Sequence, residues 1–123
     1  MQISSTIETI NYDAFYGCNS LYGVIIPDSV TRILNSAFSE CLGLTSVDLG
    51  NGITEIEGLF YGCTALTSIT IPKNVTQIAG YSFGDCTNLK NVTLNEGLEI
   101  ISAGVFNNCA IETIVIPSSV SRI

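Results

Sequence analysis

Basic residues are scarce in this 123-residue chain, and histidine is absent. Four Lys and Arg stand against eleven Asp and Glu, for a formal net charge of −7. A surface of that sign repels phosphate backbones and anionic lipid headgroups, so nucleic acid is not an expected partner. Without histidine no Cys–His pair can form within the chain, and its thiols lack the usual general base. No apolar run approaches the length of a membrane span, and Met1-Gln2-Ile3 is neither a charged leader nor the start of a hydrophobic one. Membrane insertion is therefore not expected. No segment carries the 3.6-residue periodicity of a sustained helix.

What the chain does hold is apolar surface, arranged periodically. Hydrophobic residues make up 46% of it and charged ones 12%, enough for one domain, 1–123, with its own core. Five phenylalanines stand at Phe15, Phe38, Phe60, Phe83 and Phe106, and each is followed three positions later by a cysteine. Every cysteine falls in that one column: Cys18, Cys41, Cys63, Cys86 and Cys109. Another apolar column runs through Ile3, Ile26, Leu49, Ile71, Leu94 and Ile116, in steps of 23, 23, 22, 23 and 22 residues. The two shorter steps lose their residue between Ile56 and Phe60 and between Cys109 and Ile111. Length varies where chain runs as connecting arc and is constant where it runs as strand. A second period of 45 residues separates Pro27, Pro72 and Pro117, with glycine-bearing turns (Leu49-Gly50-Asn51-Gly52 and Leu94-Asn95-Glu96-Gly97) between them. The pattern suggests duplication of a two-repeat unit.

Thr45-Ser46-Val47-Asp48-Leu49 and Thr67-Ser68-Ile69-Thr70-Ile71 alternate polar and apolar residues, the signature of a half-buried strand. The proline or glycine that follows ends the strand by withholding a donor or permitting an unusual turn. The Val-Thr-x-Ile piece reads as extended, with a second short ladder as its natural product. Ala37-Phe38-Ser39-Glu40-Cys41 is compatible with one turn of 3₁₀ or α helix. No repeat can enclose its own apolar residues, so stability must come from stacking. The expected fold is a β-rich solenoid of about five 22–23-residue repeats, with a parallel strand ladder on one side and short turns or 3₁₀ segments on the other.

The segments Ile26-Pro27-Asp28-Ser29-Val30-Thr31-Arg32-Ile33, Ala37-Phe38-Ser39-Glu40-Cys41 and Leu44-Thr45-Ser46-Val47-Asp48-Leu49 resemble the BspA-like, or Treponema-type, leucine-rich repeats. The resemblance extends over essentially the whole chain. It implies a leucine-rich-repeat solenoid from surface or secreted proteins, associated with adhesion, and hence an extracellular or cell-surface location. Neither end carries a recognisable cap and Ile123 falls within a repeat, so a piece of a longer protein is expected.

Catalytic and metal chemistry find little support in these residues, and no cofactor is expected. Zinc needs four ligands converging at about 2.3 Å, which one thiol per coil does not supply. Adjacent coils do place Cα atoms within the bridging range of about 4.4–6.8 Å. Two readings of the cysteines follow: reduced, inward-facing small apolar residues, or stray bridges between neighbours. Parallel Cβ directions and the odd count favour the first. The phenylalanine column reads as a stacked core spine. Tyr16 and Tyr61 occupy equivalent positions two coils apart, while Tyr12, Tyr22 and Tyr81 follow no column. Glu55 and Glu57 form the nearest approach to an acid–base pair, but Arg32 shares a column with Glu55, and a solvated cross-strand ion pair is the simpler account.

Repeat proteins use the extended face of their ladder for partners. The outward residues here would be Ile25, Ser46, Asp48, Ser68, Thr70, Asn91, Thr93 and Thr113, flanked by Gly23 and Val115. That stripe is small, neutral and short of the aromatic and arginine anchors that binding hot spots need. The expected function is a non-catalytic binding module, not an enzyme, that engages a protein or glycan in adhesion or protein–protein contacts. The alternative is a structural spacer or self-assembling scaffold, a homo-oligomer joined through uncapped ends.

Overall fold

Alternation settles the strands: in β6 (Ser68–Thr70) Ile69 is buried between exposed Ser68 and Thr70, and in β5 (Glu55–Glu57) Ile56 is buried between two exposed glutamates. The computed structural model describes residues 1–123 and contains nine strands and no helix. The others are β1 (Thr9–Ile10), β2 (Gly23–Ile25), β3 (Arg32–Ile33), β4 (Ser46–Asp48), β7 (Gln77–Ala79), β8 (Asn91–Thr93) and β9 (Ile100–Ile101). All pairings are parallel, and the chain is a β-solenoid.

The first ladder is built in pairs that follow the 45-residue period. β2 pairs with β4 (Gly23↔Ser46, Ile25↔Asp48) and β6 with β8 (Ser68↔Asn91, Thr70↔Thr93), but no ladder joins β4 to β6. Residues 113–115 of the last coil form no strand, so the expected five-coil ladder is discontinuous. Each pair runs from a proline-bearing coil to a glycine-bearing one. At these steps Ile26 donates its N–H to the Asp48 carbonyl at 2.8 Å, and Ile71 donates to Thr93 at 2.9 Å. At the opposite step, the ladder register would have residue 72 donate to the Leu49 carbonyl and residue 117 to that of Leu94. Both are prolines and have no N–H to give, although the equivalent bond is not made at the paired steps either, where Gly50 gives its N–H to the Asp48 carboxylate. One missing donor weakens a step without forbidding it, since Gln2 still bridges Ile25 ahead of Pro27.

The second ladder joins β1 to β3 and runs through β5, β7 and β9. It too is interrupted between β3 and β5, so the boundary between the second and third coils lacks ladder pairing on both sides of the solenoid. Arg32 and Glu55 accordingly are not cross-strand partners: Arg32 pairs back with Thr9, and Glu55 forward with Gln77.

The arc opposite is neither α nor 3₁₀ helix. In every coil, residues two before and two after the phenylalanine have left-handed backbones: Asp13, Ser36, Gly58, Tyr81 and Gly104 in one column, and Gly17, Glu40, Gly62, Asp85 and Asn108 in the other. A left-handed residue at each end leaves no room for a helical turn to propagate. It also turns alternate N–H groups toward the next coil. Phe38 donates to the Leu59 carbonyl (3.1 Å) and Glu40 to that of Tyr61 (2.7 Å), and Phe60 donates to Ser82 (2.8 Å) and Gly62 to Gly84 (2.9 Å). This backbone ladder runs unbroken from first coil to last and holds the second and third coils together.

Inside lies a single cluster of 25 buried apolar residues. Phe38, Phe60 and Phe83 are wholly buried, and all five phenylalanine rings stack with centroid separations of 5.1–5.8 Å and interplanar angles of 8–14°. Offset stacking of this kind contributes about 0.5–1.5 kcal/mol per pair beyond area burial.

Candidate binding surface

Strand alternation exposes seven of the outward residues, Ile25, Ser46, Asp48, Ser68, Thr70, Asn91 and Thr93, and Thr113, outside any strand, is exposed as well. They do not form one stripe. Because β4 and β6 are unpaired, a cleft of about 300 Å³ opens among Val47, Asp48, Asn51, Thr70 and Pro72. A second, of about 430 Å³, separates Asn91 and Thr93 from Thr113 and Val115. Thr113, expected on a strand, instead sits on a detached segment in which Val115 is 85% exposed. The face is thus three short patches divided at the steps into Pro72 and Pro117.

Charge on the face is held locally. Asp48 accepts the Gly50 N–H at 3.0 Å, which fixes its carboxylate over the turn. The first patch also has the anchor that the outward positions alone lack. Tyr22 is 67% exposed, and a β-carbon built on Gly43 would lie 3.1 Å from its Cε1, so the ring rests against the next coil where only glycine fits. Ile25, 49% exposed, follows it on the same strand segment, and Leu42, also exposed, adjoins Gly43. Tyr22 was legible in the sequence only as a scattered aromatic, because its partner glycine lies in a different repeat.

On the second ladder the unpaired β3–β5 boundary forms a cleft of about 340 Å³ lined by Tyr12, Arg32, Asn35, Glu55 and Glu57 among others. The two glutamates do lie on one side of an extended strand, as alternation requires, with Arg32 across the cleft. Both carboxylates are exposed to solvent.

The cysteine column is free of bridges throughout. Each thiol from the second coil on donates to the phenylalanine carbonyl of the preceding coil: Cys41 to Phe15 (3.0 Å), and Cys63 to Phe38, Cys86 to Phe60 and Cys109 to Phe83 (3.1 Å each). Desolvation raises all four thiol pKa values, to about 12 for Cys86 and about 11 for Cys109, with Cys63 pushed highest. Such thiols carry almost no thiolate at neutral pH, the opposite of an activated nucleophile. No group of three or more Cys, Asp or Glu is placed to hold a metal ion.

Comparison with known proteins gives the same repeat. The family described as the BspA type leucine rich repeat region (6 copies) matches residues 1–58. No curated protein matches the chain. Among solved structures, a leucine rich cell surface protein of Faecalibacterium prausnitzii A2-165 is 31% identical, with a TM-score of 0.86 over 99% of this chain and 30% of that one. A leucine rich repeat protein of T. pallidum is 33% identical, with a TM-score of 0.84 over 89% of this chain and 54% of its own. One from Eubacterium ventriosum is 25% identical, with a TM-score of 0.83 over 98% of this chain and 39% of its own. The chain thus spans between 30% and 54% of the length of the first two.

Proposed function

Since the chain belongs to the BspA-like, Treponema-type leucine-rich-repeat family, we propose that it is a non-catalytic binding module of a surface or secreted protein, making protein–protein or adhesion contacts through its ladder face. The observation that carries the reading is the first patch, where exposed Ile25 pairs with exposed Asp48 and exposed Tyr22, one residue before that strand, rests against Gly43 of the next coil. Tyrosine is among the residues that most often anchor contact hot spots. The surface location is supported by the F. prausnitzii relative, which is named a cell surface protein. The acidic charge directs the module toward neutral or basic partners.

A site-specific photo-crosslinker tests this. Placed at Ser46 or Thr70, it should give adducts with surface proteins that excess unlabelled chain competes away and that Tyr22→Ala abolishes. The same group placed at Asn107, on the arc, should give none. Equal labelling from both faces, or no competable adduct from the ladder, refutes the proposal.

A further inference from the structure

The arc carries a feature that the ladder-face reading does not use. Tyr81 occupies a left-handed position, φ +42°, in a column otherwise filled by Asp13, Ser36, Gly58 and Gly104. A bulky side chain there is a genuine backbone outlier, strained relative to glycine. Nothing in the core compensates, because the side chain is 56% exposed. Strain retained at an exposed position points to use of the side chain itself.

The ring has a defined orientation. A β-carbon built on Gly104 would lie 2.5 Å from Cε1 of Tyr81, 2.8 Å from Cδ1 and 2.9 Å from Cζ. Three consecutive ring atoms at such similar distances place the ring face, not its edge, over Gly104. One face therefore rests on the next coil and the other is turned to solvent. One coil earlier, Cδ2 and Cε2 of Tyr61 lie 3.2 and 3.3 Å from the corresponding position on Gly84, whose N–H donates to the Tyr81 carbonyl. The two tyrosines thus occupy successive steps of the stack.

Beside Tyr61 stands a carboxylate fixed from two sides. Asp85 accepts the Tyr61 hydroxyl at 2.5 Å on Oδ2 and the Asn108 amide at 3.1 Å on Oδ1. A carboxylate offers about four acceptor sites, so two remain for an incoming donor. With its proton committed to Asp85, the Tyr61 oxygen presents acceptor lone pairs outward. Glu40, whose carboxylate lies over Gly62, adds a further acceptor beside Tyr61.

The geometry points to a carbohydrate platform on the arc face, in which Tyr81 and Tyr61 stack against the C–H face of a pyranose and Asp85 accepts its hydroxyls. The negative face of an aromatic ring attracts the weakly positive C–H groups of a sugar, and an oriented carboxylate receives paired hydroxyls. Glu40, Asp85 and the net charge of −7 repel sulfated, sialylated or uronic chains, so the ligand is a neutral glycan. The site is independent of the ladder face, and neither proposal rests on the other.

Tyrosine emission provides the test, because the chain has no tryptophan. The intact chain is titrated with mannan, galactan and mixed-linkage β-glucan, and separately with heparin and polylysine. At least one neutral polysaccharide should give a saturable change, at least tenfold tighter than either charged polymer. Tyr81→Asn should weaken that binding at least tenfold while Tm holds or rises, since asparagine accepts the left-handed backbone, as Asn108 does. Tyr61→Phe, which keeps the ring and removes the hydroxyl, should weaken it severalfold. Tyr22→Ala, on the ladder face, should leave it unchanged. The proposal is overturned if none of the three neutral polysaccharides binds, if polylysine binds more tightly, or if both tyrosine variants on the arc bind as the parent does.

Discussion

The thiol of Cys63 lies 3.1 Å from the carbonyl oxygen of Phe38, one coil earlier. The Phe60 and Phe83 carbonyls also accept the backbone N–H of their own coil's cysteine, Cys63 and Cys86, both at 3.2 Å, whereas that of Phe38 takes none from Cys41. One carbonyl therefore closes its own turn with one lone pair and receives the next coil's thiol with the other. The position demands a side chain that is small, apolar enough to be buried and still a donor, and cysteine meets all three conditions.

Substitution at Cys63 separates the donor from the volume. Cys63→Ala removes the sulfur and leaves the Phe38 carbonyl short of a partner, with an expected cost of about 1–3 kcal/mol. Cys63→Ser keeps a donor of similar shape. If the thiol served only as an apolar filler, serine would be the worse replacement, because it buries an unsatisfied hydroxyl. The hydrogen bond instead predicts that Cys63→Ser loses less stability than Cys63→Ala, as read from urea midpoints. The reverse order would return the column to simple packing.

The same thiols make the fold sensitive to alkali. Burial raises the pKa of Cys86 from 9.0 to about 12 and that of Cys109 to about 11, with Cys41 and Cys63 shifted the same way. The unfolded chain therefore releases these protons above pH 9 while the folded chain keeps them. The stabilisation is fully present below pH 9 and falls as pH rises through 11 and 12, by up to about 1.4 kcal/mol per pH unit for each fully protected thiol. Half-buried Cys109 contributes less than Cys86. Urea midpoints should thus fall between pH 9 and 11, and replacing Cys63 and Cys86 together by alanine should flatten that fall. A pH-independent midpoint in the parent chain would contradict the burial.

How far the residues revealed this in advance depends on whether a feature repeats within one column. The phenylalanine spine and the strands around Val47 and Ile69 were readable because each recurs at 22–23 residues with fixed chemistry, and the outward set from Ile25 to Thr93 followed from strand alternation alone. The arc, expected as short turns or 3₁₀ segments, is formed by turns alone. Its left-handed columns contain Asp, Ser, Gly, Tyr, Glu and Asn, a backbone requirement that shows no single side-chain signature. The breaks in the ladder follow the 45-residue proline period, which from the residues alone reads as duplication. Tyr22 on Gly43 and Tyr81 on Gly104 could not be read at all. Each pairing crosses a repeat boundary and appears once.

Two glycines with similar dihedrals should respond differently to alanine. Gly17 and Gly50 both have left-handed backbones, with φ of +66° and +63°, but a β-carbon at Gly17 meets nothing within 4 Å whereas one at Gly50 would sit 2.4 Å from the Ile26 carbonyl oxygen. Gly17→Ala carries the conformational penalty alone, about 1 kcal/mol. Gly50→Ala adds a backbone clash and must push the Asn51 turn away from the second coil, with an expected loss of more than about 2 kcal/mol. Paired denaturation curves measure the difference. Equal losses would mean that the turn has room to move.

The boundary between the second and third coils should be the place where the solenoid opens first. The Ile26 and Ile71 amides are held by the Asp48 and Thr93 carbonyls, whereas Leu49 and Leu94, one coil further on in the same column, donate to no carbonyl. Amide exchange should therefore alternate along the column, with Leu49 and Leu94 at least tenfold faster than Ile26 and Ile71. If the missing donor is the cause, Pro72→Ala supplies an N–H in register with the Leu49 carbonyl, lets β4 pair with β6 and slows Leu49 exchange, while Leu94, facing Pro117, stays fast. Unchanged exchange at Leu49 in that variant would assign the opening to the tight seat of Gly50 and Gly52 on the second coil, where added β-carbons would come within 2.4 Å of the Ile26 and Val30 carbonyl oxygens.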